Sequence, residues 1–458
     1  MNLEAMRFIK KMSKLIITLF GATGDLTLRK LLPALENIIK NEKHPENVTI
    51  LAIGRRKFTS EDYLNFVVES KLFKGDINLL RKHLIYVEVD AYQSATYENL
   101  HLLYKGLTKN IADVRTIFYL AVSPELFMPI TENLKANKLI KKGDLNTIIA
   151  FEKPFGHTFE DALYINEYLE KELHRNQIYR VDHYLGKEMI QNIIDLRFSN
   201  TLVSALWSNK YISEVKVIVS EKDGILNRGA YYDEVGVLND MVQSHLLQVL
   251  ALLIMDIPKS LSSKDISKAK IKALKKVKYD ASNSLLGQYD GYRQEKGVSE
   301  DSLISTLAFL TFAVEDKRFA GVPFYLFTGK KLAKKEAYIE VILKDAPGSH
   351  LFKNTSANRL IIELAPESRI SLEINGRTDG NNNEVSKLVL DHCFTCLFPS
   401  AVKEAYEALF IEMINGHRTL FPSWEEISVS WDIICQIRDE KPRYIIYEPG
   451  FNLGGKNE

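Results

Sequence analysis

The chain has 458 residues, 46% hydrophobic and 26% charged, an ordinary balance for a globular protein with a sizeable core and room for two or three domains. Its 60 basic and 59 acidic residues nearly cancel, so bulk charge gives no reason to expect nucleic acid or a membrane surface as partner. Any anionic ligand must be met by local charge. Three cysteines (Cys393, Cys396, Cys435) are too few for a disulfide framework and fit a reducing compartment.

Residues 1–13 carry basic side chains but no sustained apolar run, and are read as an N-terminal extension rather than a signal peptide. Residues 14–20 form a continuous β-rich apolar run that stops at Gly21, as a strand buried on both faces does. Gly21-Ala22-Thr23-Gly24 then turns the chain into a helical pattern over 26–39, with Pro33 as a kink inside it. Further strands are predicted at 48–53, 84–89, 115–122 and 147–151, alternating with helices at 60–72, 94–108, 125–137 and 159–173. This alternation predicts a Rossmann-like, doubly wound parallel sheet over 14–184.

After Gly186 the texture changes. Strands predicted at 211–221, 337–343, 360–364 and 370–374 are not each followed by a helix, so 185–458 reads as an α+β domain with a large, mostly antiparallel sheet. Residues 239–255 form a strongly apolar helix, whose 249–255 run is too short to span a bilayer. The lysine- and serine-rich stretch 260–302 reads as a helix followed by an exposed loop. The CxxC at 393–396 has neither a second pair nor an obvious redox setting, and no metal constellation is apparent.

Five stretches carry chemistry. In GATGDL the glycines let a backbone approach a pyrophosphate resting on the amides of a helix N-terminus, which makes Gly21, Thr23, Gly24, Asp25 and Leu26 cofactor candidates. The second strand ends in Ile53-Gly54-Arg55-Arg56, with no acid to take a ribose 2′-hydroxyl; guanidiniums there suit a 2′-phosphate, hence NADP, although Arg56 and Lys57 equally suit plain solvation. Glu152-Lys153-Pro154-Phe155-Gly156 closes another strand of the same sheet, where Lys153–Pro154 is a candidate cis bond. The stretch 177–193, QIYRVDHYLGKEMIQNI, crowds Asp182, His183, Tyr184, Lys187 and Glu188 around a glycine turn. His, Tyr and Lys there can grip a dianionic phosphate while Asp182 orients a base; an ordinary solvated turn is the alternative. His245 lies on the apolar helix, either as a hydrogen-bonded core histidine or as a general base.

RVDHYLGKE resembles the signature of the glucose-6-phosphate dehydrogenases, and the likeness extends over about 15–447. GATGDLTLRKLLPAL is similar to that family's cofactor fingerprint, EKPFG to its lysine element, and DEVGVLNDMVQSHLLQVL to its catalytic helix. GVPFYLFTGK and EAYEALFIEMINGHRTLF match further stretches. The resemblance implies metal-free, NADP-dependent oxidation of β-D-glucose 6-phosphate to the 6-phosphogluconolactone, entering the oxidative pentose phosphate pathway, by a cytoplasmic homodimer or homotetramer. It implies His245 as base with Asp182 orienting it, and Lys153 on both cofactor and sugar phosphate. It places His183, Tyr184 and Lys187 on the phosphate, Glu221 and Asp240 on the sugar hydroxyls, Lys330 and Lys335 on the substrate, and Arg55 on the cofactor. Two departures are visible: Leu364-Ala365-Pro366, where relatives carry a glutamine, and Gly376-Arg377-Thr378-Asp379-Gly380 in place of a lysine-rich stretch. Rival readings are a dehydrogenase of another hexose 6-phosphate and an inactive sensor of sugar phosphate or NADP.

Overall fold

A computed structural model describes residues 13–42, 44–226, 228–377, 383–397 and 404–452. The 1–12 part of the extension and the 378–380 part of the second departure lie outside these residues. Six short, apolar strands build the first sheet: β1 (Lys14–Phe20), β2 (Val48–Gly54), β3 (Leu84–Glu88), β4 (Val114–Leu120), β5 (Thr147–Phe151) and β6 (Ile178–Arg180). Their order is β3-β2-β1-β4-β5-β6, every pairing parallel. Ile16, Ile17 and Leu19 of β1 have no exposed surface, the burial expected of a strand covered by helices on both faces. The order reverses between β1 and β4, which opens a crevice at their carboxyl ends, the usual address of a dinucleotide. Pro33 costs little here, because a π turn over Thr27–Leu31 precedes it and leaves the proline in the first turn of the helix Leu32–Asn41.

The chain divides into two compact units, the first comprising 1–186, 262–264 and 404–424 and the second the remainder. The first unit therefore includes a helix from late in the sequence, Ala405–Asn415. It is fastened by Arg115 of β4, whose buried guanidinium donates from Nε and Nη2 to the carbonyl of Met413 at 3.2 and 2.6 Å. A cation at a helix C-terminus meets both unsatisfied carbonyls and the negative end of the dipole, and Gly416, at φ +75°, ends the helix there.

Among the described residues the second unit carries nine strands: β7 (Ile212–Ser220), β8 (Val277–Tyr289), β9 (Leu307–Val314), β10 (Phe324–Gly329), β11 (Glu336–Leu343), β12 (Arg359–Ala365), β13 (Arg369–Gly376), β14 (Ser386–Cys393) and β15 (Arg443–Tyr447). The sheet order is β14-β13-β12-β11-β7-β10-β9-β8-β15, antiparallel except that β10 runs parallel to β7 and β15 to β8. One helical stretch, Gly229–Ile254, is long and apolar enough to cross a membrane by length and composition, and most of it is buried. Gly236, at φ +62°, breaks its first turns.

Two expectations need correcting. The helix expected within 260–302 is present at Ser263–Leu274, but the loop after it begins with a strand of 13 residues, β8, and only 290–302 is loop-like. The polar run Asp280 to Ser284 of β8 hid the pattern, because it is where the pairing with β9 shifts register between Asp280 and Leu285. Cys393 and Cys396 are joined by a disulfide, since the turn leaving β14 brings their Cα atoms to 5.3 Å.

Candidate active site

In the first unit, β1 delivers the chain into a turn that only glycine can make. Gly21 has φ +84°, and a Cβ added to it would stand 2.3 Å from the carbonyl oxygen of Ala121, at the end of the neighbouring β4. The Gly24 amide donates to the Gly21 carbonyl at 3.0 Å, and the Thr27 hydroxyl donates to the same oxygen at 2.9 Å. The turn is thus held rigid with its backbone bare, and Thr23, Gly24, Asp25 and Leu26 follow at the mouth of the helix. This open cradle fits a dinucleotide pyrophosphate. Asp25 is exposed and pairs with Arg29 at 2.6 Å.

At the end of β2 the Tyr86 hydroxyl donates to the Arg56 carbonyl at 2.8 Å and fixes the Arg55–Arg56 turn. The Arg56 guanidinium stacks on Phe66 at 5.0 Å and on Phe58 at 5.9 Å, so it is not simply solvated. Arg55 stays exposed at the position where a ribose phosphate would be met.

At the end of β5, Lys153–Pro154 is cis, as its position predicts. The residue before it, Glu152, is buried: the Tyr119 hydroxyl donates to its Oε1, the Lys153 amide donates to its Oε2 at 3.2 Å, and the Tyr406 hydroxyl also bonds to it. Burial pushes the Glu152 carboxyl up to about 7, against the opposing pull of these donors and of the Lys153 charge.

Beyond β6 the carboxylate of Asp182, buried, accepts from the Tyr184 amide at 2.9 Å, which shapes the turn carrying His183 and Tyr184. The His183 ring lies parallel to that of Tyr406, with centroids 5.9 Å apart and 8° between planes. Gly186 lets the late helix come close, because a Cβ there would stand 2.4 Å from the Ala405 carbonyl oxygen. The first unit thus gathers Lys153, Asp182, His183 and Tyr184 beside its nucleotide crevice.

In the second unit, Lys187 stands at the N-terminal boundary of the helix Glu188–Ser199. Glu221 and Lys330 each follow a pairing of parallel strands, Ser220 of β7 beside Gly329 of β10, and this register makes them neighbours. Their side chains form an ion pair, and the Lys330 ammonium lies 5.0 Å over the ring of Tyr232. Tyr232 is fully buried; burial first, then the charges of Asp240 and Glu221, hold its hydroxyl well above the usual phenol range. Asp240, Glu221 and Lys330 therefore converge on one tyrosine. His245 sits on the same helical stretch as Asp240, with no exposed surface. Lys335 is exposed and lines a cleft of about 640 Å³ with Lys222, Lys334, Glu336, Ala365 and Pro366, so the alanine departure shares open space with this candidate lysine.

Glu152, Tyr119, Tyr406 and Tyr232 stand around these sites without having been singled out by sequence reasoning. Only Glu152 had a local signal, its place before the strand-end lysine. The tyrosines are brought in by pairings of distant segments.

A doubly wound parallel sheet with a bare glycine turn at its switch point, joined in one chain to a basic and acidic constellation suited to a phosphorylated polyol, defines a nicotinamide-dependent oxidoreductase. Comparison with known proteins narrows the class. Residues 18–192 match the family described as glucose-6-phosphate dehydrogenase, NAD binding domain, and 194–455 match glucose-6-phosphate dehydrogenase, C-terminal domain. The glucose-6-phosphate 1-dehydrogenase of Bacillus subtilis is 33% identical over 96% of this chain and 94% of its own. That of Borreliella burgdorferi is 34% identical over 94% and 93%. Among solved structures, a glucose-6-phosphate dehydrogenase in complex with its substrate glucose-6-phosphate superposes with a TM-score of 0.88 at 29% identity, covering 97% of both chains. The Mycobacterium avium glucose-6-phosphate 1-dehydrogenase superposes with a TM-score of 0.84, also at 29% identity, over 96% of this chain and 95% of that one. The chain belongs to the glucose-6-phosphate dehydrogenase family.

Proposed function

We propose that the protein oxidises β-D-glucose 6-phosphate at C1 to 6-phospho-D-glucono-1,5-lactone with NADP+, the first step of the oxidative pentose phosphate pathway. The observation that carries this reading is the match of both halves of the chain to the family's two domains, with the phosphate-gripping residue types of 182–188 in place. When bound, the oxidised nicotinamide supplies the acceptor for the C1 hydride. His245 takes the proton from the C1 hydroxyl as the C1–O bond becomes a carbonyl, and Asp182 orients the imidazole and balances the charge it gains. His183, Tyr184 and Lys187 bind the phosphate, joined by Lys153, Lys330 and Lys335. Glu221 and Asp240 accept from the sugar hydroxyls.

The choice of NADP rests on Arg55 and on the absence of an acid at 53–56. Gly21, Thr23, Gly24, Asp25 and Leu26 hold the pyrophosphate. We place the boundary between the cofactor and substrate domains near 184, after a short extension of 1–13. The protein works in the cytoplasm as a homodimer or homotetramer; exposed Val389 and Leu390 on the edge strand β14 suit a second copy, and light scattering tests it.

Initial rates followed by absorbance at neutral pH, with glucose 6-phosphate and NADP or NAD, test activity and cofactor choice together. His245→Asn is expected to lower kcat by about a thousandfold while substrate binding persists. An unchanged rate removes His245 as base, and no turnover by the parent protein leaves the inactive sensor. Ala365 in the Lys335 cleft favours a second reading, a relaxed preference among hexose 6-phosphates. Comparable rates on the galactose and glucosamine esters would establish it.

A further inference from the structure

We propose that Glu152 is a positioning residue of the sugar-phosphate site, which fastens the Lys153 backbone on one side and, through Tyr406, the His183 ring on the other. The proposal deepens the function given above and rests on it. Three observations carry it. The buried Glu152 carboxylate takes the Lys153 amide at 3.2 Å, which fixes where the lysine leaves the strand end. Its other contacts are the hydroxyls of Tyr119, on β4, and Tyr406, on the late helix, so the carboxylate ties two sheet strands to that helix. The Tyr406 ring in turn lies flat against His183 at 5.9 Å. Lysine and imidazole are thus set by one buried anion, although they lie on different strand ends.

A carboxylate in this place accepts from three donors. Once protonated it carries a buried O–H that needs an acceptor, and among its partners only a tyrosine hydroxyl can supply one, by reversing its bond. The titratable groups facing it are Tyr119, Tyr406 and Lys153, with Asp182 acting on Tyr406 from the turn beyond β6. Both tyrosine hydroxyls are held above the usual range, by burial first and then by the Glu152 charge, so they remain donors. Glu152 itself, pushed up to about 7, is the member that changes state near neutrality. Its loss of charge below that point loosens the grip on the phosphate.

The test compares the full-length protein with Glu152→Gln and Tyr406→Phe between pH 6 and 8.5. KM for glucose 6-phosphate and kcat are measured together, and binding of inorganic phosphate is followed by calorimetry. Glu152→Gln is expected to raise KM about tenfold at pH 8 with a much smaller change in kcat. It should also abolish the part of the wild-type rise in KM that centres near neutrality. Tyr406→Phe keeps the ring against His183 but drops the hydroxyl, and should weaken phosphate binding by a smaller factor in the same direction. Inorganic phosphate reads the Lys153 and His183 grip whether or not glucose 6-phosphate is turned over, so failure of the reaction and failure of the proposal are separable. Should Glu152→Gln not fold, Tyr406→Phe carries the same comparison. A KM profile and phosphate affinity equal to wild type in the folded variants would overturn the proposal, as would a loss confined to kcat.

Discussion

At the scale of single residues, the groups that make a site are often those the fold tolerates least, and Glu152 is such a group. Its unfolded-state carboxyl titrates in the ordinary range near 4.5, whereas burial holds the folded one up to about 7. Between those values the folded protein binds more protons than the unfolded chain, so stability falls as pH rises through this window and is constant above it. Glu152→Gln removes the titration. Relative to wild type, the melting temperature of the variant should therefore climb from pH 5 to pH 8, and a difference independent of pH would refute the assignment. The form that costs stability is the one that organises Lys153 and His183, a trade expected where function and folding want different charge states. Candidates such as Gly21, Arg55 and Lys153 for the cofactor and Asp182 for orienting the base were legible in the sequence, because each has its place at a strand end. Glu152 was visible but mute, since Tyr119 and Tyr406 reach it from distant segments.

Among elements, the helix Ala405–Asn415 decides how the turn at 182–186 is supported. It packs on the turn at Gly186, it supplies Tyr406 to Glu152, and Phe410 meets Tyr119 with ring centroids 5.2 Å apart. Arg115 holds its far end by two bonds to one carbonyl. Burial lowers the pKa of that guanidinium, against the pull of Tyr179 and Asp144. Arg115→Met fills similar space but leaves the Met413 carbonyl without this donor, and should cost about 2–4 kcal/mol in chemical denaturation. Because Tyr406 rides on the same helix, phosphate affinity should fall alongside; full stability loss with unchanged affinity would separate the two roles. That residues 404–421 resemble a family stretch was clear from sequence. Where the helix docks was not, because an amphipathic pattern gives a buried face and no address. β8 was lost for the converse reason: its polar interruption fits a loop locally, and only β9 and β15 on either side make it a strand.

For the whole molecule, the consequence is that the nucleotide-binding unit is not a contiguous stretch of chain. The alternation of strand and helix revealed its sheet, but the unit also takes in 404–424. A segment cut at 186 keeps all six strands and the glycine turn, yet lacks the cover for Tyr119 and the Met413 carbonyl that takes two of the Arg115 bonds. It also lacks the packing of the late helix on Leu32–Asn41, the first helix after that turn. Loss of an apolar cover and of a buried charge's partner each cost several kcal/mol, comparable with the whole stability of a domain. Residues 1–186 expressed alone should thus bind an apolar dye and unfold without a sharp transition. The same segment joined to 404–424 by a flexible linker should melt cooperatively, at a temperature higher by about 10 °C or more. Circular dichroism melts of the two, run beside NADP binding by fluorescence, make the comparison. Equal melting and equal binding would mean that the six-stranded sheet is self-sufficient, and that the late helix serves the phosphate turn alone.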